Sequence, residues 1–409
     1  MRRNNFGKAF ALAIALFSCA FTWAQKPITP EARESVLKGL ETVVTTKCFV
    51  PGVDFSQWPK FLESHRAEID KAETDVAFSR EVNKALHDFG VSHIRLNTPK
   101  SATSRQRNMT SGLGMQVKRV DGGLEVTTVY PMGPAGQVGI QVGDLIKQAD
   151  GKEADLSAVR VEPGKKVTFS VLKKDGTTKD VVLENKEFEN RRPEQLTWLD
   201  SEAAVLRLFT FSKGYDRKNV ETLIKEVEDK KGKYLIIDLR RNGGGLVSNL
   251  NHFLSLLAPN DTEVGTFISR ATADKFAKEK SSPSNDPLEI AKWDPIKFKT
   301  KLRTVEPFTG KIAVLVDRGS ASASEICCAA LQETRGAKIV GSKSMGAVLA
   351  SVYGKLPEGF ELQYPVSDYV TIKGVRLEGN PRVPDLEVGR SADGKDEAPA
   401  KALELLKKD

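Results

Sequence analysis

The chain is poor in the residues that most often mark a site or a scaffold. Its 409 residues include four cysteines, four histidines, five methionines and four tryptophans. So few cysteines give no framework for a disulfide-stapled domain. No His/Cys/Asp cluster has metal-ligand spacing, so no metal is expected. No glycine loop is followed by Lys-Ser or Lys-Thr, which removes a phosphate-binding loop, and no cofactor is expected. A formal net charge of +8 is mild for this length, and no basic stripe is interleaved with aromatics, so nucleic acid is excluded as a partner. Internal repeats and long low-complexity tracts are also missing. What remains, 40% hydrophobic and 28% charged residues, is globular material for two or three domains.

The one marked apolar run lies at the start. Arg2, Arg3 and Lys8 precede an apolar stretch over 9–24 that ends Thr22-Trp23-Ala24-Gln25, the layout of a secretory signal peptide cleaved after Ala24. That predicts a periplasmic or secreted protein. Leu16-Phe17-Ser18-Cys19 offers a lipoprotein alternative, and lipid on Cys19 would be the route to a membrane. The run is short for a span. Cleavage leaves Cys48, Cys327 and Cys328, an odd set read as buried small hydrophobes.

Two turns carry chemistry. The apolar stretch Ile312-Ala313-Val314-Leu315-Val316-Asp317 delivers Gly319-Ser320-Ala321-Ser322-Ala323-Ser324-Glu325 into a helix expected over 325–334. A helix start has unpaired N–H groups and partial positive charge, so a serine there meets a carbonyl beside oxyanion donors. Helix capping is the plainer use of such a serine. Upstream, Tyr234-Leu235-Ile236-Ile237-Asp238-Leu239 empties into Arg240-Arg241-Asn242-Gly243-Gly244-Gly245. Consecutive glycines let backbone approach a ligand, and both turns follow apolar strands, where open α/β sheets place their sites.

In this order the two turns resemble the carboxy-terminal processing and tricorn-like serine peptidase family, as do Leu331-Gln332 and Val340-Gly341. The resemblance covers most of the chain after about residue 110. It implies Ser322 as nucleophile, and an oxyanion hole drawn from Gly244, Gly245 and Ala323. Many members use a lysine from a Phe-Gly-Lys-Gly step. Here that stretch reads Ser344-Met345-Gly346-Ala347-Val348, so Ala347 stands at the lysine position, and Lys338 and Lys343 are out of register. Without a base a serine is a poor nucleophile. The tricorn-like branch implies another base, a histidine with a preceding serine and a distant glutamate. Gly90-Val91-Ser92-His93-Ile94-Arg95-Leu96 matches its Ser-His step. Arg376-Leu377-Glu378-Gly379-Asn380-Pro381-Arg382-Val383-Pro384-Asp385 resembles its Glu-Gly…Pro-Asp element with one extra residue. The implied relay is Ser322, His93, Ser92 and Glu378. His65, His87 and His252 are assigned structural roles.

Between these parts, residues 111–187 read as strands, hairpins and one short helix, and resemble a PDZ domain. The resemblance implies that Gly112, Leu113, Gly114 and Met115 receive the carboxylate of a polypeptide C-terminus. The whole predicts a signal peptide (1–24), a small N-terminal helical domain (25–110), the PDZ-type β domain (111–187) and an α/β peptidase core (188–409) of crotonase/ClpP-like kind. In the helical part Val76, Phe78, Val82, Leu86 and Phe89 mark the inward face. The lysine-rich stretch 270–304, interrupted by three prolines, is expected as a lid or groove wall, or as a solvated excursion. The expected activity is peptide-bond hydrolysis by an acyl-enzyme on Ser322. The alternative is an inactive peptidase fold that binds peptides through the PDZ-type domain.

Overall fold

Thr29 accepts a hydrogen bond from Ala32 N, and Pro30 supplies a preset φ at the first helical position, so the chain enters a helix over Pro30–Lys47. Thr74 caps Asp75–Asp88 in the same way. The computed structural model describes residues 26–389 and 395–408, and the leader with Cys19 lies outside the described residues. None of the described helices is long and apolar enough to cross a membrane.

Val36, Leu40 and Val44 from the first helix meet Phe78, Val82 and Leu86 from the other around the fully buried Trp58. Val76, expected inward, is 45% exposed, because Phe78, Val82 and Leu86 set a face that excludes it. This core is not self-contained. Leu349, Leu356, Phe360, Leu362 and Tyr364, from the far end of the chain, complete it. The chain leaves the helix through Gly90 and His93, both at positive φ. It then forms the strand Arg95–Asn97, antiparallel to the long strand Glu361–Thr371. That sheet continues through Glu263–Ser269 to Phe298–Lys299, with Ala350–Lys355 also on the long strand.

Met109–Gly112 pairs antiparallel with Lys186–Glu189, so a two-stranded ribbon carries the intervening module. The module is an antiparallel sheet of six strands within 115–184. Its core contains Leu124, Val126, Ile146, Phe169, Val171 and Leu183. The expected short helix is Pro134–Gln137. The stretch 154–163 contains no helix, and its Ala158, Val159 and Val161 pack on the core from irregular backbone.

The core sheet orders Gln195–Trp198, Ala203–Arg207, Tyr234–Asp238, Lys311–Val316, Lys338–Gly341 and Leu386–Glu387; the first pairing is antiparallel and the rest are parallel. Both faces are covered, so its strands are near-continuous apolar runs. Alternation sends Leu235, Ile237, Ile312, Val314 and Val316 to the face covered by Arg217–Asp229, Val247–Leu254 and Ala323–Arg335. Ile236, Ala313 and Leu315 face Ala398, Ala402 and Leu406 of the helix Ala398–Lys408. Register decides the site. Tyr234 pairs with Lys311 and Asp238 with Leu315, so the glycine loop and the serine turn leave adjacent parallel strands side by side.

The stretch 270–304 forms the helices Arg270–Lys280 and Pro287–Trp293, which pack through Phe276, Ile290 and Ala291 against Ile268 and Val370. None of its residues lines the large cavity described next.

Candidate active site

The two turns are stitched together by buried polar groups. Asn242 is fully buried. Its carbonyl accepts from Ala321 N (3.1 Å) and from Ser324 Oγ (2.8 Å), and its side chain donates to Leu208 O (3.1 Å). Ser320 Oγ donates to Leu239 O (2.8 Å), and Asp317 Oδ1 accepts from Arg241 N (2.8 Å). Except for the bond to Leu208, each crosses between the segment after Asp238 and the segment after Val316. The turns therefore hold one fixed relation, as a preorganised site requires.

Ser322 precedes the helix Ala323–Arg335 with φ 56° and ψ −120°. A side chain in this region costs about 1–3 kcal/mol, and such strain gathers at functional sites. Its amide donates to Ala347 O (2.8 Å) and cannot serve an oxyanion. Gly244 lies directly against the serine: a Cβ there would stand 2.8 Å from Ser322 Cβ and 2.8 Å from Ala323 N. Gly244 was expected among the oxyanion donors, but its N–H is turned to Asn242 Oδ1 at 3.0 Å. The amides of Gly245 and Ala323 donate to no acceptor among the described residues. Ala323 N is thus the first amide of a helix start next to Ser322, where the dipole favours negative charge, and Gly245 lines the cavity of Ser322.

His93 and Ser322 line the same cavity, of about 750 Å³, together with Gly243, Gly244, Gly245 and Leu246. Like Ser322, His93 has a left-handed backbone, with φ 57°. Ser92 Oγ is 2.8 Å from its Nδ1, and burial pushes the imidazole down to about 4. Among the described residues no hydrogen bond joins the ring to Ser322. Nor does Glu378 reach Ser92: its Oε2 accepts the amide of Val348 at 2.7 Å. That backbone donor, presented by a neighbouring loop, takes the carboxylate expected to complete the relay. The structure thus brings Ser92 and His93 together, sets His93 on the cavity of Ser322, and leaves Glu378 beside the 344–348 loop. Lys338 and Lys343 do not line the cavity.

The loop at the missing lysine is organised by a residue that motif reading passed over. Glu325 is 1% exposed. Its carboxylate accepts from Ser344 Oγ (2.5 Å), Gly346 N (2.8 Å), Ala347 N (3.0 Å) and Ser322 N (3.3 Å). Burial raises its pKa against these hydrogen bonds. The available signal was a glutamate three residues into a helix after serine. Asn242 had its own signal, an Asn-Gly step after a strand.

In the module, Leu113 O accepts from Ala135 N and Gly114 O from Tyr130 N, both at 2.9 Å. Gly114 has φ 77°, and a Cβ on it would stand 2.8 Å from Gly133. The amides of Leu113 and Gly114 donate to no acceptor among the described residues, while Gly112 belongs to the ribbon and Met115 opens the module's edge strand.

With this geometry in hand, residues 202–388 match the profile of peptidase family S41. The chain carries a peptidase family S41 domain. That domain holds the glycine loop, the serine turn and Glu378, whereas Ser92 and His93 precede it. A probable CtpA-like serine protease of Staphylococcus saprophyticus is 25% identical over 289 residues, covering 69% of this chain and 54% of that protein. A protein of the same description from Staphylococcus haemolyticus is 24% identical over 286 residues, covering 68% and 52%. The chain thus matches about half the length of these relatives. Among solved structures, a putative S41 protease from Bacteroides fragilis aligns with TM-score 0.56 at 14% identity, covering 81% of this chain and 89% of that one. The tricorn protease aligns at 0.53 and 15%, covering 92% and 37%. Mature CPAF complexed with lactacystin gives 0.52 and 15%, covering 92% and 98%. At such identities these likenesses establish the S41 fold.

Proposed function

We propose that this protein is a serine endopeptidase that hydrolyses peptide bonds of polypeptide substrates through an acyl-enzyme on Ser322. The observation that carries the reading is the strained Ser322 at a helix start, with the free amide of Ala323 next to it, and with His93 and Gly245, whose amide is also free, on the same cavity. In the proposed cycle His93 Nε2 takes the Ser322 proton as Oγ attacks the carbonyl carbon. The two amides hold the oxyanion, and the imidazolium protonates the departing amine. Water then hydrolyses the ester with His93 again as base. Ser92 Oγ, on Nδ1, keeps the tautomer that leaves Nε2 free to accept. Glu378 acts in this scheme by fixing the loop beside Ser322. Secretion past a cleaved leader, a crotonase/ClpP-like description of the core, and PDZ-type capture of C-termini by Gly112, Leu113, Gly114 and Met115 belong to the same proposal. The free amides of Leu113 and Gly114 support the last.

A fluorophosphonate probe should label the folded protein, and Ser322→Ala should abolish labelling. His93→Ala should lower peptide turnover by about 10²-fold or more, and Lys338→Ala and Lys343→Ala should leave it unchanged. Absence of labelling in folded, processed protein would refute the reading. The absence of a bond between His93 and Ser322 favours a second reading, a peptide-binding protein on a peptidase fold. Peptide binding indifferent to Ser322→Ala, without cleavage of unfolded protein, would select it.

A further inference from the structure

Among the described residues, the cavity that contains Ser322 is lined by four lysines and arginines, Lys100, Arg105, Arg192 and Lys213, and by no aspartate or glutamate. Two of the four already have partners. Arg105 forks onto the buried carboxylate of Glu361, with contacts of 3.0 and 2.8 Å, and lies 3.6 Å from the Tyr353 ring centroid. Lys213 Nζ donates to Gln106 O at 2.7 Å. Lys100 is exposed on the rim.

Arg192 differs from all three. It is half-buried, its guanidinium carbon lies 4.5 Å from the Phe209 ring centroid and 5.3 Å from that of Tyr130, and among the described residues it has no hydrogen bond and no ion pair. Its charged neighbours are of the same sign, Arg207 and Arg241. Arg207 is engaged by Asp238. Burial, reinforced by these cations and opposed by Tyr130, lowers its pKa. A guanidinium stacked on a ring keeps its N–H edge free, and that planar fork fits a carboxylate with two parallel bonds. An unpaired cation in a half-buried setting is costly unless a ligand supplies the charge.

Its place in the fold ties this cation to Ser322. Phe209 lies in the segment just before Phe211. Phe211 N donates to Gly244 O and Phe211 O accepts from Leu246 N, both at 2.9 Å, and Gly244 packs on Ser322. Arg192 thus lines the cavity of Ser322, over a ring of the segment that borders the glycine loop.

We propose that Arg192 is a specificity-determining residue that binds a carboxylate of the peptide substrate, either an acidic side chain or the terminal carboxylate. The proposal rests on the peptidase reading. The test uses internally quenched decapeptides in matched sets: Asp or Glu against Asn or Gln moved along the chain one position at a time, and free acid against carboxamide at the C-terminus. For wild type, one set should show a preference for the carboxylate of about tenfold or more in kcat/KM. The side-chain sets and the terminal set tell the two sources apart. Arg192→Gln should erase that preference while cleaving the neutral peptide as before, and Arg192→Lys should keep part of it. Fluorophosphonate labelling of Ser322 in Arg192→Gln should match wild type, which shows that the fold and nucleophile are intact. Equal rates across every set, with Ser322 labelled, would overturn the proposal and leave the peptidase reading standing. If Ser322 is not labelled, the peptidase reading falls. Direct binding of the same sets to wild type and Arg192→Gln then decides the carboxylate site: a preference lost in the variant supports it, and none refutes it.

Discussion

Ser92 Oγ stands 2.8 Å from His93 Nδ1, and this is the only hydrogen bond the imidazole makes among the described residues. The second nitrogen therefore depends on the cavity for a partner. Burial has lowered the ring from its usual 6.5 to about 4, so it is neutral, and able to accept a proton, over nearly the whole range in which proteins are stable.

That shift has two consequences with a defined sign. In the unfolded chain the ring binds its proton near the usual 6.5, whereas the native ring resists until about 4. Between these values the unfolded state holds more protons, so stability falls as pH drops from about 6.5 toward 4. His93→Gln should remove this contribution, measured as a smaller difference in urea midpoint between pH 7 and pH 4.5. The acidic limb of kcat/KM should likewise lie near pH 4 rather than 6.5. A limb at 6.5 would mean that the ring is solvated in the working enzyme.

Ser322 carries its side chain at φ 56° and ψ −120°, where glycine alone is at ease. Ser322→Ala removes the hydroxyl and keeps the strain, while Ser322→Gly removes both. Both variants should lose fluorophosphonate labelling, and the glycine variant should be the more stable by about 1 kcal/mol in denaturant unfolding. Equal stability would show that neighbouring contacts, and not the turn, hold this conformation.

Glu325 gathers four donors on one buried carboxylate, three of them from the loop of Ala347. Glu325→Ala would leave Ser344 Oγ and the amides of Gly346 and Ala347 without an acceptor, at about 1–3 kcal/mol for each buried donor. The expected outcome is a loss of roughly 3 kcal/mol or more, faster proteolytic nicking within 343–348, and slower labelling of Ser322 as its amide loses the fixed Ala347 carbonyl. Glu325→Gln should fall between, since an amide oxygen accepts while its NH₂ faces donors.

Much of this was legible because the signals are local. The apolar runs before Asp238 and Asp317, the helix inferred after Ser322 and the Ser92-His93 adjacency each depend on a few consecutive residues, and each appears close to where it was expected. The serine helix begins at Ala323 and not Glu325, because the turn tightens directly into it. What was not legible depends on partners far along the chain. Glu378 binds Val348 N because that amide was left unpaired by a loop thirty residues away, and nothing near Glu378 announces it. The helices over 30–88 look separable by periodicity, yet Leu362 and Tyr364 complete their core. Arg192 went unread for the same reason: only the folded cavity shows that a cation there has no counter-charge among the described residues.

The glycine loop provides the most discriminating mutational series. Three successive glycines look equivalent in sequence, but the space around them differs. A Cβ on Gly243 would meet nothing within 4 Å, and its φ is not positive. On Gly244, at φ 90°, it would stand 2.7 Å from Ala321 O, 2.8 Å from Ala323 N and 2.8 Å from Ser322 Cβ. On Gly245, at φ 149°, it would stand 2.2 Å from Ser212 N. Gly243→Ala should therefore fold and label like wild type. Gly244→Ala must push the serine turn away from the loop and disturb the donor at Ala323, so labelling should slow by about a hundredfold or more. Gly245→Ala must break the seam with Phe211 and should cost stability first, seen as a lowered unfolding midpoint. Unimpaired labelling of a folded Gly244→Ala protein would show that the loop and the serine turn do not work as one site.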